Sequence, residues 1–439
     1  MTSMGLYTLI ITILIIAVWR SPAVALVGVI CMFGLEQWAQ ASEAFFLLHQ
    51  SFTNLTIGCV IVFGLIINLI KSRPIFANYP PVGWLILLLF LYAFISASWA
   101  PRPDLSYEVW AKAWPYIITF VVLAPLLITR LPDLEPVFLL IIVMGGVLAL
   151  LLTFGVEWHF RRIVLSARFG GEVYGNPLAV AQMAGNVVFA ALLLKGRKTK
   201  KYFDPIKWVL AAICLVLIIK SGSRGQLIAL FLSLIVTWPL AHSIQNFKGF
   251  LFALGLLAIV FFVSSWALTE FWGKTDRWSD QSMNEAVGGR LDQAFVLLTH
   301  WLKNVFTIFF GLGNSASYDP RIIGLYPHFV PLEILGEEGL IGFSLYLYII
   351  FSGIKSAVES YSLTKNSDQA RQLLAVLCSM SIYAFLLSLK QGSLLSNLEF
   401  FMFIILLVKY EILLKNSIVE FQQKQYAKHR VEKTNLLNT

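Results

Sequence analysis

Apolar runs of roughly 15 to 20 residues recur along the chain, broken only by short polar intervals, and each run is long enough at about 1.5 Å per residue to cross most or all of a hydrocarbon layer about 30 Å thick. The pattern predicts helical spans over 4–19, 22–35, 54–70, 82–98, 113–129, 136–153, 177–194, 206–220, 225–240, 249–265, 332–352, 372–389 and 393–410. The first two are separated only by a tight link at Arg20–Pro22, so the reading is an all-α polytopic membrane protein of 12 to 13 transmembrane helices. Residues 1–410 form the membrane domain, and 411–439 a tail.

Composition sharpens this. The hydrophobic set makes up 58% of the 439 residues, charged residues only 13%, and mean hydropathy is +0.77. Soluble globular chains carry roughly 25% charge, so the composition argues against a soluble globular fold. Cys31, Cys59, Cys214 and Cys378 all fall inside apolar runs and read as small buried hydrophobes. The formal charge of +9 gathers in short loops and the tail, where it sets orientation and gives no reason to invoke nucleic acid.

Six basic residues against one acid lie between Lys195 and Lys207, and the tail is basic too. Both are expected in the cytoplasm. That sidedness puts 36–53, 99–112, 153–176 and 265–331 outside; a cleavable signal peptide is not expected, because no charged n-region precedes the first run. The 67-residue interval 265–331 is the long outer loop, and its tryptophans argue for packing or interfacial contact. Within it Val287, Leu291, Ala294, Phe295, Leu298, Trp301, Leu302 and Val305 recur at helical spacing, which predicts an amphipathic helix over 284–304 ahead of a Gly, Asn and Ser-rich turn at 311–317.

Charges on the outer side need a reason. Arg224 stands in the short link Ser221, Gly222, Ser223, Arg224, Gly225, where it either snorkels and caps a turn or grips phosphate oxygens with its planar fork. Arg161, Arg162 and Arg168 lie in the outer interval before Gly175, Asn176 and Pro177, as contacts for anionic lipid headgroups or as the lining of an anion pocket. Glu333 follows Pro331 at a helix start, His328 precedes it at the membrane mouth, and Glu337 and Glu338 fall in the first turns of the span, where ionised groups are costly unless paired or wet. There is no HxxxH, HExxH, DxD or Walker A pattern, so neither a metal nor another cofactor is expected, and energy must come from an activated substrate.

These residues resemble the bacterial O-antigen ligase and polymerase superfamily, multi-span enzymes acting on glycans carried by undecaprenyl pyrophosphate. Gly175, Asn176 and Pro177 are similar to its Gly-Asn-Pro, Ser223, Arg224 and Gly225 to its Ser-Arg-Gly, Gly289 and Arg290 to its Gly-Arg before the large-loop helix, and Gly311, Leu312 and Gly313 to its Gly-x-Gly. His328 to Gly342 resembles its His-Asn, Leu-Glu and Glu-x-Gly stretch, with Phe329 where the family usually has Asn. The resemblance implies a metal-independent, inverting glycosyltransferase at the periplasmic face of the inner membrane. It implies that Arg224 and Arg290 bind pyrophosphate and that His328 activates the acceptor hydroxyl, with Arg161, Arg162, Arg168, Asn176, Ser223 and Glu333 on substrate. The implied partners are an undecaprenyl-pyrophosphate-linked glycan, a glycan or lipid A core acceptor and membrane lipids. A ligase is preferred to a polymerase that extends one lipid-linked chain with another; the alternative from a different class is a polysaccharide flippase or small-anion transporter.

Overall fold

In the computed structural model the described residues are 2–76, 79–159, 161–165, 173–195, 203–242, 255 and 292–437, from 424 on as backbone only. Arg168 and Arg290, and the expected span 249–265 apart from Gly255, lie outside them.

Among the described residues nine helices are long and apolar enough to cross a membrane. Side chains such as Ile13, Ile16, Trp19, Leu55, Trp84 and Phe351 point outward from them. An apolar shell of this extent would be unstable in water but matches lipid, so the chain is an all-α membrane protein.

The chain begins with a hairpin. Helix α1 (Ser3–Arg20) ends at Ser21, a 3-10 turn carries Pro22 in its first position, and α2 (Ala25–Ser42) runs back. A Cβ on Gly28 would sit 3.2 Å from Leu14, so the absent side chain lets the two helices touch. The second run therefore exceeds the expected 22–35 and continues to Ser42 as the most buried of the nine spans. Around it pack α4 (Phe52–Ile70), α8 (Leu134–Phe154) and α9 (Pro177–Leu193), with short α3 (Ala44–Leu48) beside it.

Helix α5 (Pro81–Ser96) is followed closely by α6 (Pro103–Ile117), a π-helical turn (Ile118–Leu123) and α7 (Ala124–Leu126). The expected outer interval 99–112 is thus mostly helical: Pro103 at the first position and Asp104 in the first turn start the helix earlier than the hydropathy suggests. Helices α10 (Phe203–Lys220) and α11 (Arg224–Ala241) meet at a three-residue turn, and Arg224 is the first helical residue of α11 rather than part of the link.

Residues 292–301 form α12 and Val305–Phe310 form α13. Within the expected amphipathic helix the described residues are helical to Trp301; Ala294 and Leu297 are buried, Leu297 against Gly336, and Phe295, Leu302 and Val305 are exposed. Then come α14 (Val330–Thr364), α15 (Asp368–Ser388) and α16 (Leu398–Leu437). The last begins later than the expected 393 because Ser393 caps a 3-10 turn at Leu394–Ser396, and it runs through the expected tail.

Cross-contacts sort the helix ends into two sets. At one end Ser96 meets Asn314, Lys220 Nζ donates to Thr153 O, and Asn314 O accepts from Ser106. At the other, Lys71 Nζ donates to Trp19 O, Arg73 pairs with Asp133 at 3.6 Å, Lys195 N donates to Gln372 Oε1 and Gln369 Nε2 to Glu135. The candidate site lies at the first end.

Candidate functional site

The first part of the site is a broken helix. Within α14 Gly339 adopts φ 64° and ψ −168°, and a Cβ there would overlap Gly311 N and Phe309 O. Only glycine combines that left-handed conformation with so close a backbone approach. The break turns the preceding carbonyls outward: Gly336 O accepts from Leu312 N and Glu337 O from Gly313 N, each at 2.9 Å. The Gly-Leu-Gly segment is thereby docked on the membrane helix as an extra strand-like layer.

The two glutamates complete the dock. Glu337 accepts from Ser315 N at 2.7 Å and Ser317 N at 2.9 Å; Glu338 accepts from Asn314 Nδ2 at 2.9 Å and Ser96 Oγ at 2.8 Å. Trp110 Nε1 in turn donates to Asn314 Oδ1 at 2.9 Å. Both carboxyls are buried, and these four donors are the pairing such a position demands. Four residues earlier, Glu333 Oε1 accepts from Leu394 N at 3.1 Å and fixes the turn that opens α16.

Beside this dock is a cavity of about 510 Å³ between α2, α9 and the 391–399 segment. Its wall includes Asn176, Gln182, Gln391, Glu399, Tyr318 and Tyr326. Asn176 caps α9, its side chain accepting from Leu178 N at 3.0 Å, so the Asn-Pro pair both starts the helix and faces the cavity. Glu399 is held by Gln182 Nε2 at 3.0 Å and Asn186 Nδ2 at 3.2 Å, both on Oε2. Burial pushes the Tyr318 phenol above its ordinary value, with Glu333 and Glu337 adding to the effect. Next to it, Arg321 grips Asp319 through both oxygens and holds its carboxyl down at about 2.

The third part is the turn between α10 and α11. Gly222 has φ 66°, and a Cβ on it would lie 2.6 Å from Arg161 Cδ. Arg161, itself at φ 63°, sits at the tip of a small hairpin in which Trp158–His159 pairs with Arg162–Ile163. The hairpin thus lays one arginine over the Ser221–Arg224 turn. On the other flank Lys390 packs on Gly225 and donates to Gln226 Oε1 at 2.9 Å, while Gln226 Nε2 donates to Gln391 Oε1 at 2.7 Å. That pair of amides joins the cationic turn to the cavity wall.

Of the residues singled out in the sequence, Asn176 lines the cavity, and Arg161 lies against Gly222 in the turn that leads into Ser223 and Arg224, which Gln226 connects to the wall residue Gln391. His328 is half-buried at φ 57°, its ring 4.2 Å from that of Tyr326, a wall residue. Arg162 is in the hairpin and exposed, and Glu333 serves the 394 turn rather than the cavity wall. Sequence reasoning passed over Gln182, Lys390, Gln391 and Glu399. Glu399 left a signal, an acid inside an apolar run, as did Lys390 and Gln391 in a link of a few residues; the amide of Gln182 left none. No cluster of three or more His, Cys, Asp or Glu side chains that could hold a metal occurs among the described residues.

The chain matches no family model, and no curated protein matches it. The site must be read from its own chemistry.

Proposed function

We propose that the protein is an O-antigen ligase-like glycosyltransferase that moves a glycan from undecaprenyl pyrophosphate to an acceptor hydroxyl, a lipid A core sugar or a second lipid-linked glycan. The observation that carries this reading is the seating of Arg161 on Gly222, two residues before Arg224, in a turn that Gln226 and Gln391 join to a polar cavity within a membrane bundle. Two guanidiniums and Lys390 at one turn suit a pyrophosphate, which offers several oxygens to planar forks.

The reaction asks little else. As the anomeric carbon takes the acceptor oxygen, its bond to the phosphate oxygen breaks and negative charge grows on the departing pyrophosphate, where fixed cations stabilise it. The acceptor proton passes to His328, whose imidazole is suited to the task near neutral pH. One displacement inverts the anomeric configuration and needs neither nucleotide nor metal.

In this reading the chain crosses the bacterial inner membrane 12 to 13 times, with the site in the periplasm and the C-terminus in the cytoplasm. The basic stretch 195–207 begins at the end opposite the site, which supports that sidedness.

The test is a purified transfer reaction. Protein given an undecaprenyl-pyrophosphate glycan and either acceptor should form a new glycosidic bond without ATP or added metal, and His328→Ala should slow it on the order of 100-fold or more. Which acceptor is consumed decides ligase against polymerase. Donor movement across proteoliposomes with no product from any acceptor would replace the transferase by a transporter.

A further inference from the structure

We infer that the cavity is a binding chamber for uncharged sugar units, and that Glu36 and Glu399 in its wall select against acidic ones. This deepens the transferase reading and rests on it for the glycan's being a substrate; the binding chemistry stands on the wall itself.

At about 510 Å³ the cavity falls within the range of roughly 300–1,000 Å³ typical of small-ligand clefts. Six carboxamides face it: Gln37, Gln40, Asn176, Gln182, Gln391 and Asn397. Gln40, Asn176, Gln182 and Gln391 spend part of their capacity on Glu36, Leu178, Glu399, Gln226 and one another, whereas Gln37 Oε1 and Asn397 Nδ2 are buried with no hydrogen-bond partner among the described residues, an acceptor and a donor that a sugar hydroxyl, which does both, can satisfy. Phe33, Phe120, Tyr174 and Tyr326 add flat apolar faces for the carbon side of a pyranose ring. A mixture of amides and aromatic faces is poor for a lipid tail and poor for an inorganic ion, but suits a sugar on both counts.

Charge narrows the class. Among the described residues no arginine or lysine is in the wall, and the described cations nearest to it are at the Arg161 and Arg224 turn, so the pyrophosphate is assigned to that turn and the sugars extend inward from there. The wall has two carboxyls instead. Glu36 Oε1 accepts from Gln40 Nε2 at 3.1 Å. On Glu399 both amide donors use Oε2, which leaves Oε1 for a hydroxyl of whatever enters. At a pH where these two are ionised, a uronate would bring its carboxylate up to like charges in a site of low dielectric, where they repel strongly, so the binding comparison is made at mildly alkaline pH.

The experiment is a binding comparison on the full chain in lipid nanodiscs, by calorimetry or saturation-transfer NMR. The probes are free di- and trisaccharides of hexose and N-acetylhexosamine, each matched with one of equal length carrying a uronate. Neutral members should bind at least about tenfold more tightly than their acidic matches, and Glu36→Gln with Glu399→Gln together should shrink that ratio to about threefold or less. Gly175→Ala supplies a variant that leaves both acids in place. Its methyl would meet Gln37 Oε1 at 2.5 Å and push that amide, so all saccharides should weaken with the ratio unchanged. No binding by any probe, equal binding of acidic and neutral matches, or a ratio untouched by the double variant overturns the chamber. If the chamber binds sugars as expected but no glycan is transferred, the transferase reading falls and the sugar site stands; transfer without any such binding does the reverse.

Discussion

Asn314 and Glu338 stand 24 residues apart, and a hydrogen bond of 2.9 Å between them ties the loop before α14 to the membrane helix it precedes. The same carboxyl accepts from Ser96 on α5, so one side chain joins three segments. Glu338→Leu would leave Asn314 Nδ2 buried without its acceptor, at a cost of about 1–3 kcal/mol, while the Ser96 hydroxyl falls back on Ala93 O. The expected result is a clear fall in the thermal midpoint of the purified protein. Glu338→Gln keeps an acceptor oxygen and should fall much less. Equal midpoints for the two would show that shape, not hydrogen bonding, holds the dock.

Gly339→Ala should be among the most damaging single-methyl changes in the chain. The left-handed backbone alone costs about 1–3 kcal/mol in a non-glycine residue, and the methyl also overlaps the backbone of Phe309 and Gly311. Gly353→Ala, in the same helix but at ordinary helical angles, would meet only the flexible end of Ile404 and serves as the control. Comparable yield and midpoint for the two variants would contradict the broken-helix account.

Arg161→Lys and Arg224→Lys preserve charge and lose the planar fork. Each is expected to lower glycan transfer by about tenfold or more, while Arg162→Lys, on the exposed part of the hairpin, should stay within about twofold. Near-normal transfer by both of the first pair would reduce them to turn-capping or headgroup-contact residues.

Acid should open the 318–324 segment late. Asp319 is held at about 2 by Arg321, below the ordinary value of about 3.9 for an aspartate, so its contribution to folding is full above about pH 4 and is lost as pH falls through about 2. Pepsin works throughout that window. Cleavage between residues 318 and 324 should stay low at pH 4 and rise towards pH 2, and Asp319→Asn should already be cut at pH 4. An unchanged pattern in the variant would mean that the ion pair does not hold the segment.

The membrane class was legible because lipid demands long apolar helices and the chain supplies them with little ambiguity. Helix starts were less so: Pro103 and Asp104 begin α6 inside what hydropathy gives as an outer interval, since capping chemistry and hydropathy measure different things. Arg224 stood out as a charge in a short link between apolar runs, and Asn176 through the Gly-Asn-Pro resemblance at the start of a run. Gln182 could not, since an amide one turn into a helix is ordinary until Glu399, 217 positions later, comes to rest against it. The burial of Leu297 on α12, outside the expected stripe, has a similar cause. Periodicity shows that a face exists, whereas Gly336, by leaving room for Leu297, decides which face turns inward.

The pairing of Glu399 with Gln182 and Asn186 also orders the molecule's birth. Helices leave the ribosome from the N-terminus, so α9 enters the bilayer long before α16 is made, and its two amides must wait in or near lipid without their acceptor. A nascent chain halted before residue 398 should therefore hold α9 loosely, be open to quality-control proteases, and have no finished cavity. Completion of the last helix becomes the step that commits the protein to its mature form.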